Sequence, residues 1–257
     1  MRIKKILFAF FLLLMIQGVS FCAGKPFVSL DYRQDQRSDI RPIWGCWTLE
    51  AGAPTFLGMS ILRHTALSRN SIESGQLELD LYPKLWSGAY AYINIGTSEA
   101  KSYFPMDRYG LEIYQSLGDG YEVSLGWRYL SFTNSEATVY TTYLGKYIGD
   151  WWLAYRYYHV PYKNGDIGST HQATVRRYLE DADNYVTLRY SLGSTPDGLN
   201  STYITDNLHA YTVGLDLQKR LHGELFMKCT VETLKQELID LSFVQQDTWM
   251  LGIKNFF

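Results

Sequence analysis

Charge is scarce in this sequence. Its 24 Lys and Arg against 26 Asp and Glu leave a net charge of −2, and charged residues make up 19% of the chain, below the roughly 25% of an ordinary soluble domain. No positive excess is present to hold a phosphate backbone, which excludes a nucleic-acid binder that works by electrostatics. Long apolar runs are equally rare. One exists, at the N-terminus, so a polytopic helical membrane protein is excluded as well. Cysteine is down to three residues. What the sequence does have is aromatic side chains: 21 Tyr, 12 Phe and 7 Trp, or 16% of 257 residues. That length allows one large domain or two small ones. An aromatic-rich, weakly charged chain points to an all-β protein, either a secreted sandwich or a membrane barrel.

Met1-Arg-Ile-Lys-Lys5 is a short basic segment, and Ile6 to Ile16 an unbroken apolar core. A core of about 11 residues suits an export signal and falls short of the ~20 needed to span a bilayer. Residues 1–23 are therefore read as a cleaved signal peptide and 24–257 as the mature domain. Two cuts are open, with Ser20 and Cys22, or Cys22 and Gly24, at positions −3 and −1. Cys22 also raises lipidation, against which Phe21 stands where a lipoprotein signal carries a small residue. Cys46 and Cys229 then remain. Strand parity puts them on opposite faces, so no disulfide is predicted.

Past Gly24 no segment keeps a helical period, and two-residue alternation recurs instead. Tyr121, Val123, Leu125, Trp127 and Tyr129 alternate with Glu122, Ser124, Gly126 and Arg128. Leu77, Leu79 and Leu81 alternate with Gln76, Glu78 and Asp80, and Trp249, Leu251 and Ile253 with Met250, Gly252 and Lys254. Strands are predicted near 26–34, 42–52, 55–65, 72–82, 86–97, 106–116, 121–132, 136–147, 151–161, 170–179, 184–193, 206–217, 222–233 and 246–256. The count is about fourteen, with about twelve as the alternative.

The joints discriminate between all-β architectures. Gly52-Ala-Pro54, Pro83-Lys84, Gly118-Asp-Gly120, Ile148-Gly-Asp150 and Glu180 to Asp183 carry the residues of tight turns. Between them lie longer polar joints: Thr97 to Pro105, Lys163 to Thr170, Ser194 to Thr205 and Leu234 to Gln245. A Greek-key sandwich or a soluble lipocalin-like barrel has no reason to alternate in this way. An up-and-down antiparallel transmembrane β-barrel does, with short periplasmic turns and longer external loops. In that fold Trp86, Tyr121, Trp151, Tyr185 and Trp249 are membrane-girdle aromatics. The charged residues Glu50, Glu78, Asp80, Glu112, Glu122, Arg128, Lys146, Arg156, Arg189, Lys228, Glu232 and Lys254 are expected to point into the lumen, because charges facing lipid are costly.

Gly126-Trp-Arg-Tyr129, Ala154-Tyr-Arg-Tyr-Tyr-His159, Ser169-Thr-His-Gln-Ala-Thr-Val-Arg176 and Tyr185-Val-Thr-Leu-Arg-Tyr-Ser-Leu-Gly-Ser194 follow one another in an order and spacing that resembles the YaiO family of outer-membrane β-barrel proteins. The resemblance runs from Phe27 to the last residue. It implies an outer-membrane location and a barrel filling nearly the whole mature chain, and it brings no catalytic set. Phe257 is similar to the C-terminal aromatic that ends most bacterial barrels and is read by the barrel-assembly machinery. Asn255 stands at the penultimate outward position, where an aromatic is usual.

Chemistry is thinly signalled. His64, His159, His171, His209 and His222 lack the close His or Cys companions of a zinc site. A rim grouping of Ser169, His171 and Asp166, with His159 across the loop, can be drawn, but Ser169 reads equally as turn chemistry. A His222–Glu224 pairing is weaker still. No catalytic residue, metal ligand or cofactor is predicted. The leading reading is a narrow channel or export-associated wall component with a charged lumen. The alternatives are an enzyme acting on lipid or peptide at the external rim, and a structural or partner-docking barrel. The inner charges can also serve simply as salt bridges that stiffen the wall. Expected partners are outer-membrane lipids, the assembly machinery, and a small solute or exported polymer. A large general porin is disfavoured by the modest loops and by a strand count below the 16 to 18 of porins.

Overall fold

The computed structural model describes residues 24–39, 43–69, 72–99, 103–161, 167–193, 209–237 and 242–257. The predicted signal peptide, its cleavage site and Cys22 lie outside them. Fourteen strands form one closed barrel: β1 Phe27–Arg37, β2 Trp44–Thr55, β3 Gly58–Arg69, β4 Ile72–Tyr82, β5 Ala89–Ser98, β6 Asp107–Gly118, β7 Tyr121–Ser131, β8 Glu136–Ile148, β9 Trp151–Pro161, β10 Ile167–Tyr178, β11 Tyr185–Gly193, β12 Ala210–His222, β13 Leu225–Glu237 and β14 Phe243–Phe256. Every strand is antiparallel to its neighbours in sequence. The register from Phe27 opposite Phe256 to Arg37 opposite Gln246 closes the cylinder between β1 and β14. Phe257 N–H donates to the Pro26 carbonyl at 2.9 Å, so the first and last strands of the wall meet at one rim, the periplasmic one in a barrel of this topology.

The first periplasmic turn lies further along the chain than the sequence suggests. Gly52-Ala-Pro54 belongs to β2, where Pro54 faces Met59, and the reversal is made by Phe56 and Leu57. The Thr55 hydroxyl donates to the Gly58 carbonyl at 3.0 Å and accepts from Leu57 N–H at 3.2 Å. Gly58 takes φ +88°, and a Cβ there would collide with the Tyr82 carbonyl. The contrast between short and long joints is also weaker than expected. The external joint between β3 and β4 shrinks from the predicted 66–71 to 70–71 because β3 extends to Arg69, and the joint 132–135 is as short as the predicted strands imply. The joint 194–208 falls outside the described residues.

The wall has an inverted polarity. Leu125 is 69% exposed and Leu251 51%, while Asp80 is 1% exposed and Glu112 2%. In water such a distribution would be untenable. In a bilayer the outer face meets hydrocarbon, and a charge at its midplane would cost ~2–4 kcal/mol. Cys46 is buried on the inner face and Cys229 lies on the outer one; both are free thiols.

Candidate functional site in the barrel lumen

Side chains two apart on a strand share a face, and antiparallel register lines these inner rows up across neighbouring strands. The first cluster that results centres on Arg63 of β3. Its guanidinium reaches Glu50 of β2 at 2.6 Å, Asp80 of β4 at 3.1 Å and Glu78 of β4 at 3.7 Å. Arg108 of β6 approaches Glu78 from the far side at 3.3 Å. Asn94 donates to Asp80 at 2.6 Å, and the Tyr92 hydroxyl does so at 3.0 Å. A second cluster centres on Glu112 of β6, which accepts from Arg156 at 2.6 Å and from Ser124, with Arg128 at 3.9 Å. Arg156 also donates to the Tyr114 hydroxyl at 3.0 Å. Gly126 makes room here, since a Cβ would press into the Glu112 stem at 2.7 Å.

On the opposite wall Arg189 of β11 bridges Asp216 of β12 at 2.9 Å and Glu232 of β13 at 3.2 Å. Lys228 of β13 pairs with Asp31 of β1 at 2.6 Å across the strand between them. Arg33 contacts Asp35 at 3.2 Å. Higher up, the Arg69 guanidinium lies 3.5 Å over the Trp44 ring and 4.6 Å from that of Tyr103. At the external joint, the bond from Arg37 to Asp39 holds that carboxyl below its ordinary range.

Two aromatic groups fill what the charges leave. Along β4 to β9, Tyr90 stacks on Tyr114 with centroids 4.7 Å apart, and Tyr114 leads to Tyr143 at 5.8 Å. The Trp152 indole N–H donates to the Tyr143 hydroxyl at 3.0 Å. At the periplasmic end of β1, β13 and β14, Phe256 packs edge-on against Phe27 at 5.8 Å and Phe226 at 5.4 Å. The Lys254 ammonium stands 4.0 Å over Phe27 and 4.4 Å over Phe256, and the Arg220 guanidinium lies 4.8 Å over the fully buried Phe226. Between the Arg63 cluster and the β11–β14 wall remains a cavity of about 570 Å³. It runs from Arg37, Trp44, Arg69 and Gln236 at the external strand ends down to Asp31, Lys228 and Met250. The phenylalanine group and Lys254 are not among its lining residues.

Of the residues read from sequence as lumenal, Glu50, Glu78, Arg189, Lys228 and Glu232 line this cavity. Asp80, Glu112, Arg128 and Arg156 stand in the inner network beside it. Glu122 faces the hydroxyls of Tyr143 and Tyr90, and Lys254 lies in the aromatic floor. Lys146 is a correction. It is in register with Tyr121 on the outer face, its ammonium 3.3 Å from that ring. Tyr185 is the converse. It shares the inner face with Thr187 and Arg189, takes the Arg176 guanidinium at 4.0 Å over its ring, and is no girdle residue. Tyr121 and Trp151 are exposed at the outer periplasmic edge. Trp86 is exposed in the joint after β4 and donates to Gln115 at 2.7 Å. Trp249 lies on the outer face beside Tyr32 at 5.6 Å. Phe257 is exposed at the periplasmic edge. Asp31, Arg63, Arg108 and Asp216, which the charge pattern alone does not single out, complete the network. Arg108 lies four residues before Glu112 on β6, a parity that sequence shows. The other three are placed by register across strands: Arg63 is opposite Glu50, Asp31 opposite Thr48 and Asp216 opposite Thr187, each facing a residue of the inner rows.

The rim grouping does not assemble in the lumen. His159 and Ser169 face each other across β9 and β10, and both share the outer face with His171, which lies against the Tyr155 hydroxyl at 2.6 Å. Asp166 is outside the described residues. Glu224 is held by Lys25 at 2.7 Å rather than by His222. Among the described residues no group of three or more His, Cys, Asp or Glu side chains could hold a metal.

Residues 28–198 match the profile of the YaiO membrane beta barrel domain. The chain belongs to that family. Its place is the outer membrane. The structure is similar to the outer membrane protein Omp33 of Acinetobacter baumannii, with a TM-score of 0.54 and 13% identity over 91% of this chain and 99% of that one. It is also similar to a bacterial polysaccharide outer membrane secretin, with a TM-score of 0.56 and 7% identity over 93% and 100% of the two chains. At such identities the likeness shows the fold: a closed outer-membrane barrel. No curated protein matches the sequence.

Proposed function

We propose that this YaiO-family barrel is a narrow passage for small polar or ionic solutes across the outer membrane. The observation that carries the reading is the cavity of about 570 Å³, which reaches Arg37, Trp44 and Arg69 at the external strand ends and is lined by both signs of charge down to the Asp31–Lys228 pair. Charged side chains on opposing walls exchange hydration for fixed partners and set solute preference. The tyrosine stack on the β4 to β9 side narrows the lumen and speaks against a wide general porin. An exported polymer would have to pass the same constriction.

Solute flux into liposomes tests the reading. With the refolded mature chain, a monosaccharide or amino acid should swell the vesicles and an oligosaccharide should not. Absence of swelling with every solute, while heat-modifiable gel mobility proves folding, contradicts it.

A second reading is favoured by one observation. The Phe27, Phe226 and Phe256 group with Lys254 occupies the periplasmic end below the cavity. A barrel closed there would be a structural or docking wall whose inner ion pairs stiffen it, and the same flux experiment would return no swelling.

A further inference from the structure

The outer face carries few charges, and they are divided by height. Toward the external strand ends it holds the carboxylates Glu73, Asp107, Glu136, Glu237 and Asp247, together with Lys235 over the Tyr211 ring. Toward the periplasmic ends the strands carry Lys146, Arg177 and Lys219 instead. Lys219 is taken up by Glu180. Among the described residues, Lys146 and Arg177 form no ion pair, and each lies against a ring. The Lys146 ammonium stands 3.3 Å from the centroid of Tyr121, and the Arg177 guanidinium 5.4 Å from that of Trp151.

Register fixes how these four side chains sit. Tyr121 of β7 is opposite Lys146 of β8, and Trp151 of β9 is opposite Arg177 of β10. Along the rim the order is therefore aromatic, cation, aromatic, cation on four successive strands. The two cations are separated by two strand spacings, roughly 10–12 Å with their offset along the strands. Tyr121 and Trp151 are both exposed, as rings at a headgroup boundary are. An unpaired cation on a lipid-facing wall is tolerated only where its head reaches the polar layer while its stem lies along the wall. The periplasmic leaflet of an outer membrane is built of phospholipid. The turn carboxylates Asp119 and Asp150 lie beyond the strand ends, further from the hydrocarbon than either cation.

We propose that this patch is a binding site for the phosphate of anionic phospholipid headgroups, with Lys146 and Arg177 as ligands and Tyr121 and Trp151 as flanking rings. It does not depend on whether the lumen conducts.

Native mass spectrometry of the refolded mature chain in detergent tests it, with phosphatidylglycerol or phosphatidylcholine added in turn. Wild type should retain phosphatidylglycerol in preference. A variant carrying Lys146→Gln and Arg177→Gln should lose that retention by about 25-fold, each cation near an anionic surface contributing about fivefold. Lys235→Gln, at the external rim, should leave it unchanged. Equal retention of the two lipids by wild type, or unchanged phosphatidylglycerol retention in the folded double variant, overturns the site. If the double variant does not fold, the two single variants decide, each expected at about a fivefold loss.

Discussion

Arg63 and Asp80 sit diagonally across β3 and β4, their charged atoms 3.1 Å apart, with Asp80 1% exposed and Arg63 also answering Glu50 and Glu78. One guanidinium thus bridges three carboxylates on the inner wall, with Arg108 sharing Glu78. Its removal leaves them facing one another in a poorly hydrated place. Arg63→Ala is expected to destabilise the barrel by about 3–5 kcal/mol. The measurement is the temperature at which heat-modifiable mobility is lost. Arg63→Lys, which keeps the charge and gives up the fork, should fall between.

Lys228 and Arg189 line the cavity, whereas Arg156 is spent on Glu112 and Tyr114 outside it. Neutralising Lys228 to Met therefore shifts the reversal potential in a salt gradient toward cation preference. Arg156→Met leaves that potential near wild type while lowering stability. Equal shifts in both variants would show that the conducting lane is not the one assigned.

Phe226 is the fully buried member of the periplasmic aromatic group. Phe226→Ala removes the ring on which Phe256 and Arg220 rest. It is expected to cost about 3 kcal/mol or more and to raise conductance and solute flux by opening the floor. A folded variant with unchanged conductance would place the constriction elsewhere.

Asp181, in the joint between β10 and β11, accepts from Asp183 N–H at 2.9 Å, Asn184 N–H at 3.0 Å and Arg220 at 2.7 Å. Burial pushes its carboxyl upward, but these bonds outweigh it and hold the group below its ordinary value of 3.8. Its stabilising share is therefore whole above the ordinary carboxylate range and fades as pH falls through its lower native value. Asp181→Ala should speed amide exchange at Asp183 and Asn184 by about tenfold near neutral pH, the worth of one net hydrogen bond. The difference should vanish in strong acid.

Alternation made the barrel legible from sequence. It gives fourteen strands, the two faces and the separation of Cys46 from Cys229 without any knowledge of partners. The failures came where residue type was allowed to override phase. Tyr185 lies four residues before Arg189, so a lumenal Arg189 already requires a lumenal Tyr185. Lys146 shares its parity with Leu144 and Tyr140, which face out; its charge made an inward position attractive, and the nearby headgroup layer removes that cost. The Arg63 cluster escaped although the predicted strand 55–65 contains Arg63: no carboxylate on β3 marks its phase, and its partners stand on β2 and β4. The cavity could not be read at all. Its shape depends on which side chains meet across the barrel, and sequence specifies only neighbours along and between adjacent strands.

Single-channel recording in planar bilayers tests the central claim most directly. Refolded wild-type barrel should give discrete steps smaller than those of a wide general porin, with the step size rising in Phe226→Ala and the selectivity moving in Lys228→Met. A fully folded protein that shows no steps at any voltage, in wild type and in Phe226→Ala alike, would contradict a passage and leave the structural wall as the function.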